Sequence, residues 1–143
     1  MKSLLIVVYF LRFHIHRYPH LSHPAKAKRL PACYLSFLYY DTTISEKELQ
    51  NKKYEVIDFG TNSTESTDYP DYGFKLGESI RDNIVDFGVA ICGSGIGISI
   101  AANKVPNIRC AHCHDVFSAR ATRLHNDANV IAFGERVIGV GLM

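Results

Sequence analysis

The sequence predicts an α/β fold with a mostly parallel sheet, and three observations support this prediction. From residue 54 onward, short apolar stretches of strand character alternate with longer stretches of helical periodicity. Strands that are joined by helices at this spacing form right-handed βαβ units, in which the strands run parallel. The chain of 143 residues is 47% hydrophobic and 21% charged, a composition expected of one folded domain with a single core.

Four strands are predicted in this part of the chain, and three of them are followed or preceded by glycine. They are YEVIDFG (54–60), VDFGVAIC (85–92), IRCAHC (108–113) and NVIAFG (129–134). The apolar run VDFGVAIC predicts a strand that is buried on both faces, and IRCAHC is expected to be buried as well.

Three helices are predicted between these strands. Pro70 opens the first, in which Tyr72, Leu76 and Ile80 share one face, although Gly73 and Gly77 lower its helix propensity. GISIAANK (97–104) begins the second. In the third, DVFSARATRLHN (115–126), Phe117, Ala121 and Leu124 share one face and Asp115 is expected in the first turn.

The first 53 residues differ from the rest of the chain. They carry nine Lys or Arg and three Asp or Glu, whereas residues 54–143 carry seven and eleven, and no glycine precedes Gly60. We therefore divide the chain into an atypical segment, 1–53, and a core, 54–143. LLIVVYFL (4–11) is compatible with an edge or a central strand, and ISEKELQNKK (44–53) with a helix.

Composition also limits the class of protein. A net charge of +2 is too small to indicate a nucleic-acid partner. The apolar run in MKSLLIVVYFLRF ends early at charged residues, and KAKR precedes LPAC (30–33), so we expect neither an export signal nor a membrane span. Four cysteines in a chain of this length do not indicate a disulfide framework, and a reducing cytoplasm is the expected location.

The sequence CAHCH (110–114) matches the pattern of c-type haem attachment. Haem attachment requires export, and the motif falls in a predicted strand, whose alternate side chains point to opposite faces. Neither haem nor zinc is therefore expected here. The histidines at 14, 16, 20 and 23 are better explained as a solvated segment than as a metal tract.

The glycine-rich turn ICGSGIG (91–97) is the strongest candidate for a binding site. Its G-x-G-x-G spacing fits neither the dinucleotide fingerprint nor a phosphate-binding P-loop. Cys92 ends a predicted strand at the start of a helix, where backbone N–H groups favour a thiolate or an enolate-like oxygen. A tight turn around an inert buried cysteine explains the same pattern. Ser94 is placed either to bind a substrate hydroxyl or to cap the helix.

Two more candidates lie further along the chain. His125 ends a helix in RLHNDANV, where it can transfer a proton near neutral pH or cap the helix. Arg136 follows a strand and a glycine, which suits it to binding a phosphate or to lying in solvent.

The blocks YEVIDFGTNSTESTDYPDY and ICGSGIGISIAANKVPNIRCAHCHDVFSARATRLHNDANVIAFGERVIG closely resemble the type B ribose 5-phosphate isomerases. The wider family also includes galactose 6-phosphate isomerase subunits, and the resemblance covers roughly residues 48–140. It implies a Rossmann-like three-layer α/β sandwich that forms a homodimer or a dimer of dimers. It further implies the interconversion of an aldose phosphate and a ketose phosphate through an enediolate, without metal or organic cofactor.

The resemblance also assigns roles to individual residues. Cys92 matches the general base, Ser94 a residue near the sugar hydroxyls, and His125 the residue that opens the furanose ring. The other matching positions bind substrate or stabilise the enediolate oxygen through backbone amides: Tyr69, Gly93, Gly95, Gly97, Asn126 and Arg136. A cysteine at 92 favours the pentose isomerase over the galactose-type subunits.

The chain departs from the family pattern at both ends. Members of the family have a G-S-D-H-A-G-like turn after the first strand, which a segment without glycine cannot contain. They also continue beyond the position of Met143 into a helix and a tail with phosphate-binding arginines. A catalytically defective member, or a dimer-forming protein without activity, is therefore the alternative.

Overall fold

The computed structural model describes residues 3–8, 47, 49–60 and 67–139. Within these residues the strands are β1 (Ser3–Val8), β2 (Glu55–Asp58), β3 (Phe87–Cys92), β4 (Cys110–His112) and β5 (Val130–Gly134). The helices are α1 (Tyr69–Arg81), α2 (Ile96–Ala102) and α3 (Val116–Asn126). Residues 49–51 are helical and 52–53 form a turn, so the helix predicted over 44–53 ends at residue 51. Cys33, LPAC and the histidines at 14, 16, 20 and 23 lie outside the described residues.

The five strands form one parallel sheet in the order β2-β1-β3-β5-β4. Ser3 pairs with Glu55 on one side of β1, and Leu4 pairs with Phe87 on the other. The predicted strand near the start of the chain therefore lies inside the sheet. The α/β class with parallel strands is confirmed.

Two clusters of side chains pack on the two faces of the sheet. Alternate residues of a strand point to opposite faces, so Ala90 and Cys92 join the larger cluster, with Leu76 of α1 and Ile98 of α2. Ile91 joins a smaller cluster on the other face, whose other members are Phe133, Ile138, Leu49, Val56, Val89 and Ile131. The side chain of Cys92 thus faces the layer formed by α1 and α2.

The two glycines that weaken the prediction of α1 allow it to pack closely against the α2 region. A Cβ atom added at Gly73 would lie 2.6 Å from the Cβ of Ala101, and one at Gly77 would lie 2.7 Å from Cγ2 of Val105. Both glycines are buried. Tertiary packing therefore compensates for their low helix propensity.

The strand β4 differs from the prediction of a buried strand over 108–113. It contains three residues, all of intermediate burial, and among the described strands it pairs only with β5, at the edge of the sheet. Asn107 has a φ of 69°, so the chain enters the strand from a turn. The turn shortens the strand, and an edge position leaves one of its sides without a neighbouring strand.

The helix α3 forms as predicted, but its apolar face is not buried. Phe117 is 82% exposed and Leu124 79% exposed. Asp115 is the N-cap rather than a first-turn residue, because its carboxylate accepts from the Ser118 backbone N–H at 2.8 Å. The periodicity correctly identified the helix, but periodicity alone does not show which partner covers its apolar face.

No helix in the described ranges is long and apolar enough to cross a membrane.

Candidate active site

The glycine-rich turn and the loop after β5 meet at the carboxyl edge of the sheet. Cys92 pairs with Gly134 as the last residues of neighbouring strands. The Glu135 N–H donates to the Cys92 carbonyl at 3.1 Å, and the Arg136 N–H donates to the Gly93 carbonyl at 3.2 Å. Ligands of open parallel sheets bind at this edge, so the two loops form one candidate site.

Cys92 is buried at the end of β3, where the glycine-rich turn begins. Its residue is 2% exposed, and its Sγ accepts a hydrogen bond from the Gly95 N–H at 3.1 Å. The turn therefore folds back so that a backbone donor points at the sulfur. The helix α2 that follows contains only seven residues, so this single directed N–H group matters more here than a helix dipole.

The three glycines of the turn allow close contacts with neighbouring groups. Gly95 has a φ of 79°, and a Cβ there would lie 2.6 Å from the carbonyl carbon of Phe133. A Cβ at Gly97 would lie 2.7 Å from the ring of Tyr69, and one at Gly93 would lie 3.4 Å from the guanidinium carbon of Arg136. Side chains at Gly95 and Gly97 would clash with these neighbours, so the glycines allow the turn to pack closely against Phe133 and Tyr69.

Two predicted substrate-binding side chains, Tyr69 and Arg136, lie beside the turn, and the predicted catalytic residue Ser94 lies within it. Tyr69, the first residue of α1, lies against Gly97, and Arg136 lies over Gly93. The guanidinium of Arg136 is partly exposed, with its Nε 3.3 Å from the Glu135 carboxylate. The Ser94 hydroxyl accepts from the Ile96 N–H at 3.3 Å, while Gly95 is the N-cap. Ser94 therefore stabilises the turn from the position before the cap.

His125 and Asn126 do not reach this site in the same chain. They end α3, which runs back from the carboxyl edge to the amino edge of the sheet, where β5 begins. A helix of 11 residues is about 16 Å long, so His125 and Cys92 are separated by roughly the height of the sheet. Asp127 holds this end of α3 through ion pairs with Arg109 and Arg123.

The other described cysteines lie outside this turn. Burial raises the pKa of Cys110 to about 12, and burial also raises the pKa of Cys113. Both thiols therefore stay protonated at neutral pH. Among the residues that the structure describes, no three His, Cys, Asp or Glu side chains come together as a metal site.

Sequence reasoning did not identify a contact of His112 with the turn. Its Nε2 lies 2.8 Å from the Ser94 carbonyl oxygen. His112 ends β4, and β4 is separated from β3 by β5, so the contact depends on the strand order. The position of His112 near the carboxyl end of a predicted strand is the sequence feature that could have identified it as a site residue.

The chain is similar to several known proteins. The family model described as Ribose/Galactose Isomerase matches residues 39–143. A putative sugar phosphate isomerase of Bacillus subtilis (strain 168) is 56% identical over 98 residues, which cover 67% of this chain and 66% of the relative. Ribose-5-phosphate isomerase B of Escherichia coli (strain K12) is 52% identical over 88 residues, which cover 62% of this chain and 59% of the relative.

A solved structure of Clostridium thermocellum ribose-5-phosphate isomerase B matches with a TM-score of 0.74 and 39% sequence identity. The match covers 99% of this chain and 78% of that one. The chain spans less than two thirds of the length of the two curated relatives. The family model nevertheless matches more than half of the chain, and the chain belongs to the Ribose/Galactose Isomerase family.

Proposed function

We propose that this protein is a sugar-phosphate isomerase that interconverts ribose 5-phosphate and ribulose 5-phosphate. The observation that carries the proposal is the Gly95 N–H donating to Cys92 Sγ, in a glycine-rich turn at the carboxyl edge of a parallel sheet, where ligands of such sheets bind. Membership of the family and the resemblance to ribose 5-phosphate isomerases support the substrate class. We expect the enzyme in the cytoplasm, with no metal or organic cofactor.

In the proposed mechanism, Cys92 is the general base. It removes the proton from C2 of the open-chain aldose phosphate, which gives an enediolate, and the thiol, whose hydrogen exchanges with solvent, then delivers a proton to C1 to form the ketose. By resemblance, the amides of Gly93 and Gly97 would stabilise the enediolate oxygen, while the Gly95 N–H donates to the Cys92 sulfur. Cys110 and Cys113 lie in and after β4, outside the glycine-rich turn, so neither is placed for the same role.

The remaining side chains would hold the substrate. Arg136 carries a positive charge beside Gly93, which suits the phosphate or a sugar hydroxyl, and Tyr69 closes the turn on the side of α1. Ser94 contributes a hydroxyl at the centre of the turn. These roles follow from the resemblance, and the geometry supports them by bringing all three residues to one edge of the sheet.

His125 and Asn126 require a second copy of the chain in this mechanism. They lie at the amino edge, so His125 opens the furanose ring of a substrate at Cys92 only if it belongs to another protomer. The exposed apolar residues of α3, such as Phe117 and Leu124, offer surface for such a contact. We therefore propose a homodimer with sites shared between the protomers.

The decisive experiment compares wild-type protein with Cys92→Ala and Cys92→Ser in the conversion of ribose 5-phosphate. Both variants should lose at least about 100-fold in kcat, because proton transfer by a positioned base contributes about 10²- to 10⁴-fold. Cys110→Ala is the matched control and should retain activity. Equal activity of wild type and Cys92→Ala would reject Cys92 as the base.

One observation favours a second candidate, a family member without catalytic activity. No glycine precedes Gly60, so the glycine-containing turn with Asp and His that the resemblance implies after β1 is absent. A folded wild-type protein that fails to convert ribose 5-phosphate and galactose 6-phosphate would support this candidate. Conversion of galactose 6-phosphate alone would assign the chain to the galactose type instead.

A further inference from the structure

One peptide group connects His112 to Cys92. The carbonyl oxygen of the Ser94–Gly95 peptide lies 2.8 Å from His112 Nε2, and the N–H of the same peptide donates to Cys92 Sγ at 3.1 Å. The two polar ends of this peptide thus contact a histidine on one side and the sulfur on the other.

The direction of the first hydrogen bond is fixed by chemistry. A carbonyl oxygen only accepts, so Nε2 of His112 must carry the hydrogen. Neutral imidazole satisfies this requirement in its Nε2–H tautomer, and imidazolium satisfies it as well. The bond therefore forms in both protonation states of the ring.

The peptide needs such an anchor because glycine follows it. Gly95 has a φ of 79° and no side chain, so its backbone resists rotation less than that of other residues. Rotation of the peptide plane would turn the N–H away from Cys92. The Ser94 carbonyl carbon packs against Gly134, where an added Cβ would lie only 2.5 Å away. The carbonyl oxygen is held by His112.

We propose that His112 is a positioning residue that orients the Ser94–Gly95 peptide so that its N–H points at Cys92. This inference rests on the proposed function, in which Cys92 is the base. His112 itself does not touch the sulfur. It acts from the edge strand β4, through the carbonyl oxygen, on the backbone N–H that donates to the sulfur.

The test combines amide hydrogen exchange of Gly95, followed by NMR, with steady-state kinetics on ribose 5-phosphate. His112→Leu introduces an apolar side chain of similar volume that has no hydrogen-bond donor. His112→Gln keeps an N–H group near the position of Nε2. His114→Leu is the matched control, because His114 is exposed and its ring contacts the ring of His112 edge-on, so the control removes ring packing but keeps the hydrogen bond of His112 to Ser94.

We expect His112→Leu to speed Gly95 exchange about tenfold and to lower kcat about tenfold, with KM changed less than about twofold. His112→Gln should restore both to within about threefold of wild type, and His114→Leu should leave both unchanged. Amides within β3 should keep their protection in all variants. An unchanged Gly95 exchange rate in His112→Leu would overturn the proposal. So would a loss of kcat that parallels a loss of thermal stability and that His112→Gln does not restore.

The proposed function and this inference fail in different ways. If wild-type protein converts no sugar phosphate, the function is rejected, while Gly95 exchange still decides the role of His112. If His112→Leu does not fold, the wild-type protein supplies the answer. Its side-chain ¹⁵N spectrum should show hydrogen on Nε2 of His112, and a bare Nε2 with hydrogen only on Nδ1 would overturn the proposal.

Discussion

At the scale of single residues, the site depends on backbone conformation as much as on side-chain chemistry. Cys92 supplies a sulfur, but the donor that meets it is the Gly95 N–H, which requires a left-handed residue. A Cβ atom added at any of the three glycines would lie within 3.4 Å of a heavy atom of another residue. Substitutions of these glycines therefore test the site without removing any functional side chain.

Gly95→Ala should destabilise the protein and abolish the turn geometry. A Cβ at this position would lie 2.6 Å from the Phe133 carbonyl carbon and 2.7 Å from His112 Nε2, and φ is positive. Strain of this kind costs about 1–3 kcal/mol. Urea denaturation should show a loss of at least that size. Gly139→Ala, where nothing lies within 4 Å of the added Cβ, is the control and should be close to neutral.

The sequence was sufficient to select Cys92 and the glycine turn, because a strand, a cysteine and three glycines are all local features. It was not sufficient for His112. That residue lies 18 positions from Ser94 in the chain, and its contact exists only because β5 lies between β3 and β4. Alternation of strands and helices predicts a parallel sheet but does not give the order of its strands.

At the scale of elements, α1 and α2 pack through small residues. Gly73→Ala would place a methyl group 2.6 Å from the Cβ of Ala101, and overpacking of this kind costs about 1–3 kcal/mol. This loss should exceed the gain of up to about 1 kcal/mol in helix propensity. Combining Gly73→Ala with Ala101→Gly should recover part of the stability in a double-mutant cycle. Additive losses would contradict the close packing.

The N-cap of α3 gives a pH-dependent prediction. Hydrogen bonds from the Ser118 hydroxyl and N–H to the Asp115 carboxylate, at 2.6 and 2.8 Å, lower the pKa of Asp115 from its ordinary 3.8. A lowered pKa contributes stability that is present above the unfolded pKa and lost as the pH falls through the folded pKa. Ser118→Ala should raise the pKa of Asp115 in an NMR titration. It should also make the free energy of unfolding fall less steeply as the pH drops below 4.

An Asp115 pKa that is unchanged in Ser118→Ala would show that the hydroxyl does not stabilise the carboxylate. Ser79→Ala is a suitable control, because the Ser79 hydroxyl donates to the Lys75 carbonyl inside α1. This substitution should leave the titration of Asp115 unchanged.

At the scale of the whole molecule, the chain divides its candidate catalytic residues between two edges of the sheet. Cys92 lies at the carboxyl edge, and His125 ends α3 at the amino edge. The sequence indicated both residues through resemblance, but their separation follows from the direction of α3. The exposed Phe117 and Leu124 could not be foreseen from periodicity, which identifies an apolar face but not its partner.

Shared sites predict complementation between inactive variants. In a heterodimer of Cys92→Ala and His125→Ala protomers, one site lacks both residues and the other has both. An equimolar mixture after subunit exchange should therefore recover about a quarter of wild-type activity, since half of the dimers are heterodimers and each has one intact site. Each variant alone is the control. A mixture no more active than its parts would reject sites shared in this way.

The most direct test of the isomerase mechanism is NMR of ribose 5-phosphate incubated with wild-type protein in deuterated water. Proton transfer through Cys92 and an enediolate predicts ribulose 5-phosphate with deuterium at C1, because the base exchanges its hydrogen with solvent. Cys92→Ala should neither convert nor label the substrate. No deuterium at C1 after many turnovers at equilibrium, conversion by Cys92→Ala, or no conversion by folded wild-type protein would contradict the mechanism.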